Sequence, residues 1–104
     1  MANVMITYKL KAGVSREDFE TWVRGYDYPN MRGLKRVASF TNHRVERLLI
    51  GEGAPSVDYV EVFDIPDLDG FTAEDLPGET LQTVMGAFMD WVEAPQFLVV
   101  SPVV

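Results

Sequence analysis

The sequence predicts an α+β fold of order β-α-β-β-α-β, with both helices on one four-stranded antiparallel sheet. Three observations lead there. Two stretches carry apolar residues at helical spacing, Phe19, Trp22, Val23 and Tyr26 in one, and Leu81, Val84, Met85, Phe88, Met89 and Val92 in the other. Extended stretches rich in β-branched and aromatic residues flank each of them. A Gly-Glu-Gly-Ala-Pro run at 51–55 joins the middle two extended stretches as a hairpin.

Residues 2–10 form the first expected strand. Val4, Ile6 and Tyr8 fall on one face, Met5 and Thr7 on the other. The first helix starts at Ser15, whose hydroxyl can cap the free N–H groups, with Asp18 three residues on. Pro29 disfavours helical geometry at Tyr28, so this helix is expected to end there. Residues 35–50 read as a long second strand and 57–65 as the third. On the second, Ala38, Phe40, Asn42 and Arg44 share a face, and Val37, Ser39, Thr41, His43 and Val45 share the other. A loop with a short helical turn spans 67–78. Pro77 suits the first turn of the second long helix, Pro95 is expected to stop it, and 97–104 read as the last strand. This order is the ferredoxin-like split pattern.

Residues 1–104 are one domain by length. The net charge of -7 repels phosphate backbones, so nucleic acid is not an expected partner. No apolar run approaches the roughly 20 residues needed to cross a bilayer. The N-terminus lacks the pattern of a secretory signal. Cysteine is absent, which removes disulfide and thiolate chemistry and fits a reducing cytoplasm. Met5-Ile6, 60–63 and 97–100 are apolar on both strand faces. One sheet face is therefore left without a cover, and a second copy of the chain is the expected one, giving a homodimer through the sheet.

The whole chain resembles the dimeric α+β barrel superfamily. The opening VMITYKLKAGVSREDFETW is similar to the strand-then-helix start of its members, and GAFMDWVEAPQFLVVSPVV to their second helix and last strand. Within it, YDYPNMRGLKRVASFTNHRV followed by VDYVEVFDI resembles the RedY/HapK-like proteins of prodiginine-type pigment clusters. Where related members carry a helix-end His-Pro, this chain has Tyr28-Pro29. The resemblance implies a small aromatic or heteroaromatic (pyrrole- or indole-like) ligand held between the helices and the sheet.

Three residues are candidates for catalysis. His43 is the single histidine, suited to general-base work or to a plain surface position. Asp27, between Tyr26 and Tyr28, can orient a ring N–H or act as a base; its structural alternative is a solvated turn carboxylate. Glu61 sits among apolar strand residues. Facing an interior it would be desolvated with a raised pKa; facing the helices or an open end it would be an ion-pair partner. Arg32 either binds a substrate carboxylate or pairs with Asp27. Tyr8, Trp22, Tyr26, Tyr28, Phe40 and Phe63 are candidate ligand-lining residues, with plain core as their alternative. One mouth flanked by 26–28 and His43 is expected, although His43 lies about 27 Å along a regular strand counted from Lys35. No metal-ligand spacing, Gly-rich phosphate loop or nucleophile elbow occurs, so neither metal nor nucleotide cofactor is expected. The expected function is a cofactor-independent enzyme of small aromatic metabolism, such as a cyclase, dehydratase, isomerase or monooxygenase. The rivals are a ligand carrier and a purely structural dimer.

Overall fold

The computed structural model describes residues 1–104. Strand β1 (Val4–Leu10) leads into helix α1 (Arg16–Trp22). Ser15 caps α1 by accepting from the Asp18 N–H at 3.0 Å. The backbone then widens into a π-helical segment, Val23–Asp27, and tightens again as α2 (Tyr28–Arg32). Strands β2 (Ser39–Arg44) and β3 (Tyr59–Asp64) follow, then α3 (Leu68–Gly70) with a second π-helical segment, Phe71–Asp75. Helix α4 (Glu79–Met89) and strand β4 (Val92–Val99) complete the chain. The sheet order is β2-β3-β1-β4, with every neighbour antiparallel.

Pro29 does not end the helix at Tyr28. It falls in the first turn of α2, after a turn in which the Tyr28 N–H reaches back to the Val23 carbonyl. A five-residue turn is wider than an α-helical one, and a proline at a helix start costs no intrahelical bond. Strand β2 is also shorter than expected. Residues 34–37 close turns, with the Leu34 N–H on the Met31 carbonyl and the Val37 N–H on the Leu34 carbonyl, both at 3.2 Å. Pairing with β3 ends at the Val45 N–H on the Asp58 carbonyl, at 2.9 Å. Beyond it the chain leaves the sheet, with Leu49 and Ile50 exposed and Gly51 and Gly53 at positive φ.

Pro95 does not stop the helix either; α4 ends at Met89 and Pro95 lies inside β4. β4 is an edge strand, and its register against β1 shifts between Thr7 and Lys9. Ala94 takes φ 53 at that bulge, and the edge needs no N–H from Pro95. Val92, part of the expected helical stripe, is instead buried in β4. Gly70 leaves room for the Asp67–Arg36 pair. A Cβ there would collide with Asp67 Oδ2 and sit 2.5 Å from Arg36 Nε. Arg36 itself ties the α3 region down through Asp67, Glu74 and Asp75.

The helices cover one sheet face. Ile6, Tyr8, Phe40, Tyr59 and Phe63 pack there against Phe19, Val23, Met31, Leu81, Val84 and Phe88 in one core. The other face, with Met5, Thr41, His43, Val60, Val62 and Leu98, has no layer of this chain over it. The strand register places Glu61 with Tyr59 and Phe63, on the helix side.

Candidate functional site

Two carboxylates are buried in the space between the helices and the sheet. Asp27 is 4 % exposed and Glu61 3 %. Asp27 comes from the last turn of the π-helical segment, and Glu61 from the middle of β3. Both line one cavity of about 30 Å³, whose other walls are apolar, among them Ile6, Met31, Phe63, Leu81 and Phe97. Those walls also bound a larger cavity of about 360 Å³, with Thr72 the single polar residue in its lining. The two spaces share walls, so an apolar chamber, open to solvent at Phe97, Leu98 and Val99, ends against a pair of acids.

Glu61 is held from one side. The Tyr8 hydroxyl donates to Glu61 Oε2 at 2.5 Å, and Asn42 Nδ2 donates to the Tyr8 oxygen at 2.7 Å. Asn42 Nδ2 also lies 3.5 Å from Glu61 Oε2. Both contacts end on Oε2, so no protein donor reaches Oε1. Asp27 Oδ2 is buried with no hydrogen-bond partner. Burial pushes the Asp27 carboxyl up to about 7, against a pull down from the Arg32 charge. Burial and then the neighbouring Asp27 charge push Glu61 up to about 8, against the Tyr8 hydrogen bond. Burial foremost, then Glu61, raises Tyr8 far above the ordinary phenol range, so it stays a donor.

Arg32 does not pair with Asp27. Its Nε and Nη2 donate to the Phe40 carbonyl at 3.0 and 2.8 Å, and its guanidinium lies 3.7 Å from the Tyr28 ring centre. The carbonyl and the ring face supply the partners expected from the carboxylate. Asp27 is not a solvated turn residue, and Glu61 faces the helices without being in an ion pair.

The expected mouth divides in two. Tyr28 and His43 do line one cleft, of about 440 Å³, with Glu20, Arg24, Asn42 and Arg44. They meet because β2 begins only at Ser39, and the Tyr28 hydroxyl accepts from the Asn42 N–H at 2.9 Å. Asp27 is not in this cleft. His43 is exposed, and its Nδ1 lies 3.2 Å from the Val60 carbonyl. In the same cleft Arg44 and the Tyr59 hydroxyl bind Glu20, holding its carboxyl down at about 2. Of the expected lining residues, Phe63 bounds both inner cavities and Tyr8 stands behind Glu61. Phe40 stacks on Phe63 with ring centres 4.1 Å apart. Trp22 and Tyr26 pack on each other, with Trp22 also against Phe19 and Trp91, away from both inner cavities. Asn42 is the residue that sequence reasoning misses. The signal for it is a polar residue two places from Phe40 on the same strand face. No group of three or more His, Asp or Glu side chains has a metal-holding arrangement.

A family model described as REDY-like protein HapK matches residues 2–103. The chain belongs to this family. Among solved structures it is similar to HapK from Hahella chejuensis, with 25% identity and TM-score 0.75, over 100% of this chain and 98% of that one. A DABB family protein with a ferredoxin-like fold from Mesorhizobium loti superposes at TM-score 0.71 and 15% identity, over 98% and 96% of the two chains. A dimeric protein of unknown function and ferredoxin-like fold from Bacteroides fragilis superposes at TM-score 0.63 and 8% identity, over 93% and 91%. No curated protein matches the sequence. The HapK family thus carries the ferredoxin-like α+β fold here, and no helix is long and apolar enough to cross a membrane.

Proposed function

We propose that this HapK-family chain is a cofactor-independent acid–base enzyme acting on a small aromatic or heteroaromatic metabolite of the pyrrole or indole kind. One observation carries the reading. An apolar chamber of about 360 Å³ adjoins two buried carboxyls poised at about 7 and 8. Such a chamber is of ligand size, and carboxyls in that range both take and give protons near neutral pH. The Asp27 carboxylate takes a proton from the carbon beside a carbonyl group carried by the ring. Glu61, protonated, gives its proton to a carbonyl oxygen of the same molecule. The electron pair of the broken C–H bond becomes the C=C bond of the enol, so enolisation needs no added electron carrier; in a dehydration Glu61 would instead protonate the departing hydroxyl, which leaves as water. The uncovered sheet face and the dimeric Bacteroides fragilis neighbour support a homodimer; the resemblance to proteins of prodiginine-type pigment clusters supports a place in pigment or antibiotic biosynthesis, and the cysteine-free sequence suits a reducing cytoplasm.

The test is deuterium uptake into the methyl group of 2-acetylpyrrole in D2O, followed by NMR. Uptake above the buffer rate is expected, lowered about 100-fold or more by Asp27→Asn. Absence of uptake while 2-acetylpyrrole still binds would favour the second reading, a non-catalytic carrier. The wholly apolar lining of the larger cavity, Thr72 apart, is the observation on that side.

A further inference from the structure

We propose that the Asp27 carboxyl and Glu61 Oε1 form a single binding end that carries one proton between the two groups, kept on the cavity side by Tyr8 and Asn42, and that it takes a neutral ligand presenting a donor and an acceptor side by side. The proposal rests on the acid–base reading of this site and names the ligand chemistry it accepts.

Hydrogen bonds within the protein decide which oxygens are free. Asn42 Nδ2 occupies the Tyr8 oxygen, so the phenol hydrogen is committed to Glu61 Oε2. Tyr8 and Asn42 therefore act as positioning residues. With Oε2 receiving a hydrogen, a proton on Glu61 belongs on Oε1. Asp27 Oδ2 has no partner in the protein, and Asp27 lines the same cavity of about 30 Å³ as Glu61. That volume exceeds the roughly 10–15 Å³ that one water molecule needs. Two bare charges in so small and apolar a space repel strongly, and one shared proton removes the repulsion.

Nothing else facing the pair is charged. The α4 and β4 side contributes Leu81, Val84, Met85, Phe88 and Phe97. Tyr8 is the neighbouring titratable group from β1, and Arg32 is the cation whose charge reaches Asp27, though its own donors are taken by the Phe40 carbonyl. A ligand carboxylate or phosphate would thus meet two acids and no free donor. With one proton present, the pair offers one donor and one acceptor. Its complement is an N–H beside a C=O on an apolar ring.

The proton and the ligand are tested together, by 13C NMR on protein labelled at the Asp and Glu carboxyl carbons. The Asp27 and Glu61 carbons should each titrate in two steps, and Asp27→Asn should reduce the Glu61 curve to one step. Tyr8→Phe, in a protein that still folds, should displace the Glu61 titration, which a merely structural role for the phenol would leave in place. 2-Acetylpyrrole should perturb both carbons saturably. Its 1-methyl analogue, lacking the donor, should bind at least tenfold more weakly, and pyrrole-2-carboxylate should not bind. Independent one-step titrations in the ordinary carboxylate range would overturn the shared proton. No saturable perturbation by 2-acetylpyrrole, or equal perturbation by the 1-methyl or carboxylate compound, would overturn the ligand assignment. Deuterium uptake plays no part in these readouts. A failure of the catalytic reading alone leaves two-step titration and binding intact.

Discussion

At the scale of single residues, the cost of the site falls on two side chains. Folding takes Asp27 and Glu61 from an ordinary value of about 4 up to about 7 and about 8. The folded state therefore binds more protons than the unfolded state through that window. Their contribution is full below about pH 4 and is lost as pH rises through 7 and 8. Glu20 acts in the opposite sense. Held at about 2 by Arg44, it contributes above about pH 4 and loses that contribution as the pH falls toward 2. From these three groups the melting temperature should be highest near pH 4–5 and fall toward pH 8. Calorimetry across that range checks the sign. Glu61→Gln keeps an acceptor for Tyr8 and removes the charge, so at pH 8 it should stabilise the protein by about 1–3 kcal/mol and flatten the slope. A lower melting temperature for this variant at pH 8 would count against a desolvated carboxylate. Of these residues, Asp27 and Glu61 were legible as candidates because each stands out from apolar or aromatic neighbours. Their union was not legible, since Glu61 changes sheet face with a one-residue slip and nothing in the spacing reports which face is in.

The long helix at 16–32 is the informative element. Its apolar spacing located it, and Ser15 fixed its start. Its continuation past Pro29 was hidden, because a π-helical turn leaves the local residue types unchanged and alters the hydrogen-bond reach alone. That turn has a directional result. Inserting one residue into an α-helical register rotates every later side chain by about 100°, and here the rotation ends with Asp27 inside the core. Deleting Gly25, an exposed position in the wide segment with open space around it, should restore α-helical reach and turn Asp27 away. The expected outcome is a folded protein with its pH-dependent stability reduced and its 2-acetylpyrrole exchange lost. Circular dichroism with the same pH series of melting curves measures the first two, and deuterium uptake the third. The termini of β2 and β4 were likewise beyond reading. Prolines, charges and small residues marked a break near each, but the break could be a helix stop or a strand bulge, and the tertiary edge position decided it.

At the scale of the whole molecule, the β-α-β-β-α-β order and the single antiparallel sheet were legible from the two helical stripes and the extended runs around them. The uncovered face comes from the same runs, apolar on both sides. It motivates the expectation that two copies associate through Met5, Val60, Val62 and Leu98. Light scattering on the purified protein at micromolar concentration should give twice the chain mass of 11.7 kDa. Val62→Asp should halve it, since burying an unpaired charge costs several kcal/mol. A single-chain mass for the unaltered protein would remove the dimer. Leu98 also bounds the larger inner cavity, but Val62 bounds neither, so the variant reports on association separately from the acid pair.

The kink in β4 carries a consequence for growth of the sheet beyond four strands. An outer strand with regular spacing is a template on which further strands can add, chain after chain. Here Pro95 offers no N–H and Ala94 turns the backbone out of line, which interrupts that template midway. At the opposite border β2 is only Ser39–Arg44 and ends in a cation paired with Glu20. Neither border suits lateral addition, so strand-by-strand growth into open-ended filaments is disfavoured at both edges of this sheet.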